Sequence, residues 1–446
     1  MKTPICDFVK NYVKTNSHRL HVPGHKGKGF LGIESFDVTE IDGADDLYSP
    51  SSIILESENN ASKLFNCPTF YTTEGSSHAI RAMVFLVSLY AKRNNKSITI
   101  LATRNVHKSF LTVTSLLNID VEFIIDKESN SYLSSNITPK VLENYLKGLE
   151  VLPCAFYITS PDYLGNIADI KGLKKVLDNY GVLLLVDNAH GAYLKFLDNS
   201  LFPIDLGADM CASSAHKTLP VLTGGAYLSL SIKAFSLLGN EVKNALSTFG
   251  STSPSYLILQ SLDNANKILN NNFTLKLEKT VKRVLDLKNN LQNLGLTLIN
   301  NEPLKITISP KTYGYTGIEF KNYLYANKLI PEFYDNDYVV LAFSVNTKTS
   351  TYKKLYNCIK NLEKREPILL LPPNPTSSTK KYKLNEVVYS NTEIVNVSDS
   401  ENKVYSEINL HCPPAVPIII PGEIITKEVI DTFLYYGINK IKVIKE

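Results

Sequence analysis

The sequence predicts an α/β fold built on a mostly parallel sheet, and three observations carry that reading. Six short apolar runs recur along the middle of the chain: SITILA (97–102), VEFII (121–125), AFYITS (155–160), VLLLVD (182–187), MCASSA (210–215) and GAYLSL (225–230). Most of them show no polar alternation, as strands covered on both faces should. Helical stretches such as IKGLKKVLDNYG (170–181) separate several of these runs, and that alternation favours a mostly parallel sheet with helices on both faces.

The elements follow in order. The first ~45 residues are polar and rich in Gly and His, including HVPGHKGKGF (21–30) and IDGADDLYSP (41–50), and read as loops that must lie on something else. From residue 70 the pattern turns to strand, then helix over SSHAIRAMVFLVSLYAK (76–92), then strand. A long amphipathic segment from 266 leads into a smaller α+β domain, with TLIN (297–300), PLKITIS (303–309) and YVVLAFS (338–344) as its strands. LLLPPNPTSSTKKY (369–382) has linker composition, and a small terminal unit follows. The expected division is an arm over 1–50, a large domain over 51–265, a small α+β domain over 266–368 and a C-terminal domain over 369–446.

Composition narrows the function classes. The 446 residues exceed one hydrophobic core, so two or three domains are expected. The net charge of +4 is spread over scattered lysines, which argues against nucleic-acid binding. No apolar run approaches the ~20 residues of a membrane span. Asp7, Lys10, Asn11 and Lys14 interrupt the apolar residues of the amino terminus, so it is no signal peptide. Six scattered cysteines, none in a CxxC pair or at zinc spacing, point to reduced thiols in the cytoplasm and to no metal site.

Five stretches carry chemistry. In SSAHKT (213–218), Lys217 follows an apolar strand, where desolvation would lower its pKa and make it a Schiff-base nucleophile, and Ser214 and His216 flank it as phosphate partners. In LLLVDNAHGAY (183–193), Asp187 ends a buried strand, where ligands bind in open α/β sheets, and His190 follows it. In TTEGSSHAI (72–80), Gly75, Ser76 and Ser77 open a strong helix, whose N–H groups and hydroxyls form an anion site. His107 in RNVHKSF (104–110) is placed to stack on a planar ring, and TSPDYLGNIADI (159–170) offers hydroxyls and backbone groups to a ring substituent. Taken singly, each has a plain structural reading: a surface cation, a helix cap, a hydrogen-bonding histidine. Each falls at the carboxyl end of a predicted strand, so a parallel sheet gathers all five on one edge.

This ordered set resembles the fold-type I enzymes that use pyridoxal 5'-phosphate (PLP), of the aspartate aminotransferase superfamily. More closely it is similar to the Orn/Lys/Arg decarboxylase family in its short bacterial form. The likeness runs through HVPGHKG (21–27), DVTEIDGADDLYSP (37–50), TTEGSS, RNVHKS, TSPDYLG, VDNAHGAY, SSAHKTLPVLTGG (213–225), STSPSYLILQSLD (251–263) and PPAVPIIIPGE (413–423). The resemblance implies a PLP-dependent transferase-like large domain with a mostly parallel seven-stranded sheet, smaller α+β C-terminal domains, and decarboxylation of arginine, lysine or ornithine to a polyamine-type amine. It implies Lys217 as the cofactor lysine, Asp187 as the partner of the pyridine nitrogen and His107 stacked on the ring. Gly75, Ser76, Ser77, Ser214 and His216 would hold the phosphate, with His190 in the same pocket. It also implies a homodimer or dimer of dimers in which STSPSY faces the neighbouring subunit's site. The chain departs from the family pattern at Glu74, where Asn is usual, and at Ala415, where Gly is usual.

Two alternatives stand beside decarboxylation: a PLP-dependent aminotransferase, and a catalytically silent PLP-fold binding protein. Aminotransferases of this fold clamp the α-carboxylate with an arginine before an apolar-Ser strand. YVVLAFS lacks one, and the second half of the chain holds only Arg283 and Arg365. Asp45, Asp46 and Glu423 are the acids expected to meet a basic substrate's distal cation.

Overall fold

The computed structural model of the chain describes residues 1–126, 129, 131–299, 301–373, 378–410 and 414–445. Residues 374–377 of the linker stretch, Asn300 at the end of TLIN, Cys412 and Pro413 fall outside them. All six apolar runs form strands, joined by one more after residue 68. These are β1 (Thr69–Thr72), β2 (Thr99–Thr103), β3 (Asp120–Ile124), β4 (Ala155–Thr159), β5 (Leu183–Asp187), β6 (Met210–Ser214) and β7 (Ala226–Leu230). They make a seven-stranded sheet in the order β1-β7-β6-β5-β4-β2-β3, as expected.

The chain divides into two compact units, residues 1–96 with 183–276, and residues 97–182 with 277–446. In the first unit β5 and β6 pair in parallel, while β7 is antiparallel to both β6 and β1. Two reversals return β1 to the direction of β6, so β1, β5 and β6 end on one edge. Every position of β5, β6 and β7 is buried. Each fully buried Leu or Val there contributes roughly 1.5–3 kcal/mol. Beneath them Phe65 packs against Phe202 and Tyr227, with ring centroids 5.4 and 5.0 Å away.

The amino-terminal stretch differs from its reading as loops, because helix Pro4–Lys14 forms there. Proline opens it, where a missing N–H costs nothing, and Ile5, Cys6 and Val9 are buried on one face. The Cys6 N–H donates to the Asp263 carboxylate at 3.0 Å, and the Ser57 hydroxyl donates to its other oxygen at 2.7 Å. From residue 15 to 52 the chain is irregular apart from the short turn Glu34–Phe36. A second difference lies in the segment from 266, read as one amphipathic stretch. It is two helices, Tyr256–Leu269 and Phe273–Asn293, parted at Asn270–Asn272. Consecutive asparagines compete with helix hydrogen bonds through their own side chains.

In the second unit β2 pairs in parallel with both β3 and β4, so the ends of β2 and β4 share an edge. Strands β8 (Thr297–Leu298), β9 (Lys305–Ser309), β10 (Phe333–Tyr334) and β11 (Val339–Ala342) form an antiparallel sheet in the order β10-β11-β9-β8. A last pair, β12 (Thr392–Asn396) and β13 (Lys440–Ile444), packs with helix Lys427–Tyr435 around Ile419, Ile425, Val429 and Phe433.

A buried polar clasp ties that last helix to the β10–β11 hairpin. The Lys311 ammonium donates to Asp337 at 2.6 Å and to the Leu370 carbonyl at 2.8 Å, and the Tyr435 hydroxyl donates to the same Asp337 oxygen. Asp335, two residues away, accepts the N–H groups of Asp337 and Tyr338. Lys311 is paired with Asp337 and acts on Asp335 through its charge alone. Burial pushes Asp335 from 3.8 up to about 7; the two N–H groups and Lys311 oppose this, and the Asp337 charge adds to it. The folded chain therefore keeps a proton on Asp335 that the unfolded chain releases near pH 4. We expect conformational stability from this group to be complete below pH 4 and to fall as pH rises towards 7. Urea unfolding across that range checks it: Asp335→Asn flattens the dependence, and an unchanged slope in that variant contradicts it.

Candidate active site

The first unit places most of the expected residues around one strand edge. After β1 the chain turns through Gly75, at φ +74°, into helix Gly75–Arg93. The Gly75 N–H donates to the Gly224 carbonyl at 2.7 Å. Gly224 is itself at φ +101°, and a Cβ on it would lie 2.7 Å from the Thr73 carbonyl oxygen, so only glycine fits this crossing. A Cβ on Gly75 would meet nothing within 4 Å. That open space lies at a helix start whose first N–H groups have no partner within the helix. Ser76 is buried there, and the Ser214 hydroxyl at the end of β6 donates to its hydroxyl at 2.9 Å. Ser77 is half-buried in the same first turn. Space, hydroxyls and N–H groups together suit a phosphate.

Beside them β5 ends at Asp187, which is buried and accepts the Ala189 N–H at 3.1 Å. Asn188 fixes the turn: its N–H donates to the Ala212 carbonyl and its side-chain amide to the Ser213 hydroxyl at 2.8 Å. The turn delivers His190, whose Nε2 lies 3.1 Å from the Lys217 Nζ. Lys217 projects from the single helical turn Ala215–Thr218 that follows β6, and it is exposed, so the desolvation expected for it is not supplied by the chain around it. His216 donates from Nδ1 to the Gly225 carbonyl at 3.1 Å, an acceptor that fixes the proton on that nitrogen. Burial holds its imidazole below the ordinary value, the Lys217 charge acts the same way, and the Gly225 carbonyl opposes them.

The pattern for the major domain of the Orn/Lys/Arg decarboxylases matches residues 3–316, and that for their C-terminal domain matches residues 372–439. The chain belongs to the Orn/Lys/Arg decarboxylase family. Among relatives of this family member, the uncharacterized protein YaaO of Bacillus subtilis is 30% identical, across 96% of this chain and 93% of that one. An arginine decarboxylase of Bacillus subtilis is 29% identical, across 96% and 92%. The solved lysine decarboxylase LdcF of Francisella novicida shares the fold, with a TM-score of 0.80 at 17% identity over 99% of this chain and 81% of that one. The constitutive lysine decarboxylase of E. coli does so with a TM-score of 0.79, also at 17% identity, over 100% and 82%.

The decarboxylase-like motifs of the second unit are built as follows. His107 caps helix Lys108–Leu116, its Nδ1 accepting the Ser109 N–H at 3.2 Å and lying 2.7 Å from the Ser109 hydroxyl. With Nδ1 as acceptor, the neutral ring carries its proton on Nε2. The Lys108 N–H, at the start of this helix, donates to the carbonyl of Ala415 at 2.9 Å. Ala415 stands at φ +56°, a conformation that favours the Gly expected there. In the turn after β4 the Ser160 hydroxyl oxygen accepts the Ala168 N–H, and buried Asp162 accepts from Ser134 and Asn166. The groups of this turn that the sequence offers to a ring substituent thus also brace the turn itself.

The acids expected to meet a substrate cation are engaged by the protein. Asp45 is buried. Its two oxygens accept the N–H groups of Asp46, Ser51, Ser52 and Ile54, the last two at the start of helix Ile53–Phe65. Burial pushes the Asp45 carboxyl up, but the N–H groups of Ser51, Ser52 and Ile54 outweigh it and hold it below the ordinary value. Asp46 is exposed and accepts the N–H groups of Tyr48 and Ser49. Glu423 is held end-on by Arg104, with Nη1 and Nη2 at 2.7 and 2.8 Å from its two oxygens, and also accepts the Ile420 N–H. Arg104 and Asn188 are the residues that the sequence motifs contained without revealing their work. Both are polar, both sit one to three residues from a marked histidine or aspartate, and only contact with a distant segment identifies them.

The Arg104–Glu423 side chains are only 12% and 8% exposed. Arg104→Ala leaves a buried unpaired carboxylate, and we expect a loss of about 3–5 kcal/mol in urea unfolding. Removing both charges in Arg104→Met with Glu423→Gln should restore most of that loss. A single variant as stable as the parent contradicts the pairing.

Proposed function

We propose that the chain is a PLP-dependent decarboxylase of a basic amino acid, with arginine as the preferred substrate. The observation that carries the cofactor assignment is the juxtaposition of the Ser76–Ser214 hydroxyl pair, buried Asp187 and the Lys217–His190 pair within one unit. The donor set suits each end of PLP: hydroxyls and helix N–H groups for a phosphate, a carboxylate for a pyridine nitrogen, an amine for a carbonyl carbon. When bound, the cofactor supplies an electron sink for the bond being broken. Lys217 is assigned to hold it and to carry a proton at Nζ. His190 is assigned to share that proton through its hydrogen bond. Asp187 keeps the ring nitrogen protonated, and Gly75, Ser76, Ser77, Ser214 and His216 line the phosphate end. His216 enters as a neutral ring whose Nδ1–H is already used by Gly225. His107 is assigned to the face of the ring.

Decarboxylation is favoured over transamination by the absence of an arginine on β11. Arg283 and Arg365 are both exposed, and Arg365 lies over the Tyr315 ring at 4.2 Å. Arginine is favoured as substrate because relatives named arginine decarboxylase match nearly the whole chain at 27–29% identity. The product is then an amine of the polyamine type. For the distal cation we assign Asp46, which is exposed, whereas both oxygens of Glu423 are already taken by Arg104. We further propose a homodimer or a dimer of dimers, because Leu20 and Phe30 of the irregular arm are each 96% exposed. A cytoplasmic location is favoured by the buried thiols of the five described cysteines.

The reaction test supplies arginine, lysine and ornithine in turn to the PLP-loaded protein, measuring CO₂, amine and keto acid. CO₂ with agmatine from arginine, at a kcat/KM at least tenfold above the other two, is expected. Keto acid dependent on an amino-group acceptor, without CO₂, would make the chain an aminotransferase. Bound cofactor with no product from any of the three would support the silent reading.

A further inference from the structure

Helix Gly75–Arg93 begins at Glu74, the residue where the family likeness breaks. Glu74 is exposed, but its carboxylate is engaged: Oε1 accepts the Ser251 N–H at 2.7 Å. Ser251 belongs to the turn 250–255 between helices Val242–Phe249 and Tyr256–Leu269. The helix that leads into this turn, Val242–Phe249, is also fastened to helix Gly75–Arg93. His78, one helical turn after Glu74, is buried and donates from Nε2 to the Leu246 carbonyl at 2.7 Å. A carbonyl acceptor fixes that proton, and burial keeps the ring below its ordinary pKa, so His78 is a neutral wall rather than a charged one.

Gly250 completes the seat. A Cβ there would lie 1.9 Å from the Tyr48 hydroxyl oxygen and 2.8 Å from the His78 Cε1. The chain therefore passes close enough to both rings that only glycine fits. Tyr48 stands edge-on to His78, with ring centroids 6.3 Å apart. The residues that follow, Ser251, Thr252 and Ser253, are exposed, and within them the Ser253 N–H donates to the Ser251 hydroxyl oxygen at 3.1 Å. The Glu74 carboxylate is thus the one polar fastening, among the described residues, between the first turn of this helix and the tip of the loop.

We propose that Glu74 is a positioning residue, a latch that holds loop 250–253 on the start of the phosphate-binding helix and so couples the order of that loop to cofactor retention. The inference rests on the assignment of Gly75, Ser76 and Ser77 to the cofactor's phosphate. A negative charge at a phosphate-binding helix start weakens anion binding if it acts through its field alone. As an acceptor for a loop N–H it does the reverse, and the two effects have opposite signs in variants. Glu74→Gln keeps an acceptor and removes the charge. Glu74→Ala removes both.

The experiment measures two quantities in the full chain: the PLP dissociation constant by absorbance titration, and amide hydrogen exchange over residues 249–254. In Glu74→Ala we expect exchange at Ser251 to quicken by at least tenfold and PLP to bind about tenfold more weakly. In Glu74→Gln both should stay within about threefold of the parent. Tighter PLP binding in both variants would overturn the latch and assign Glu74 a purely repulsive role. Unchanged exchange in Glu74→Ala would overturn it as well. Failure of the parent itself to bind PLP would refute the cofactor assignment instead, and the exchange comparison, made without cofactor, would still decide whether the latch exists.

Discussion

Buried parallel strands leave polar groups nowhere to go except their ends, and the candidate active site depends on that constraint. Along β5 and β6 every residue is buried and the backbone groups are consumed by the sheet. A carboxylate or an amine placed mid-strand would need a buried partner, at a cost of several kcal/mol if it had none. At the last residue the ladder stops, and Asp187, Ser214 and then Lys217 become possible. The return of β1 to the same direction, through antiparallel β7, adds the Gly75–Ser77 helix start to that edge.

Second to this is the way the turns after the strands are fixed by backbone acceptors. Gly224 and Gly225 each receive a group of the site, the Gly75 N–H and the His216 Nδ1–H. One short glycine segment thereby orients both the Gly75 helix start and the histidine beside the lysine. Asn188 does the same for the β5 turn by gripping Ser213 and the Ala212 carbonyl. None of these three needs to touch a ligand to matter.

The strands were legible because their sequences are nearly uninterrupted apolar runs, a pattern few other elements share. Helix Pro4–Lys14 was not, since its buried residues are only Pro4, Ile5, Cys6 and Val9 and its main anchor is Asp263, more than 250 residues away. The break at Asn270–Asn272 was hidden by helical periodicity continuing on both sides of it. Within the site, residues at strand ends could be picked by type and position. Arg104 could not be matched to Glu423, nor Asp45 to the N–H groups of Ser51, Ser52 and Ile54, because pairing is decided by tertiary contact and by hydrogen-bond direction. An acid near a functional motif reads equally as a substrate ligand and as a cap, and only its partners separate the two.

The proposed chemistry stands or falls with Lys217 as the residue that takes the cofactor. Reduction of the PLP-loaded protein with borohydride, followed by peptide mapping, tests it most directly. A pyridoxyl group is expected on the peptide carrying Lys217 and on no other, and none at all in Lys217→Ala. A pyridoxyl group on a different lysine, or a parent protein that carries none, would contradict it.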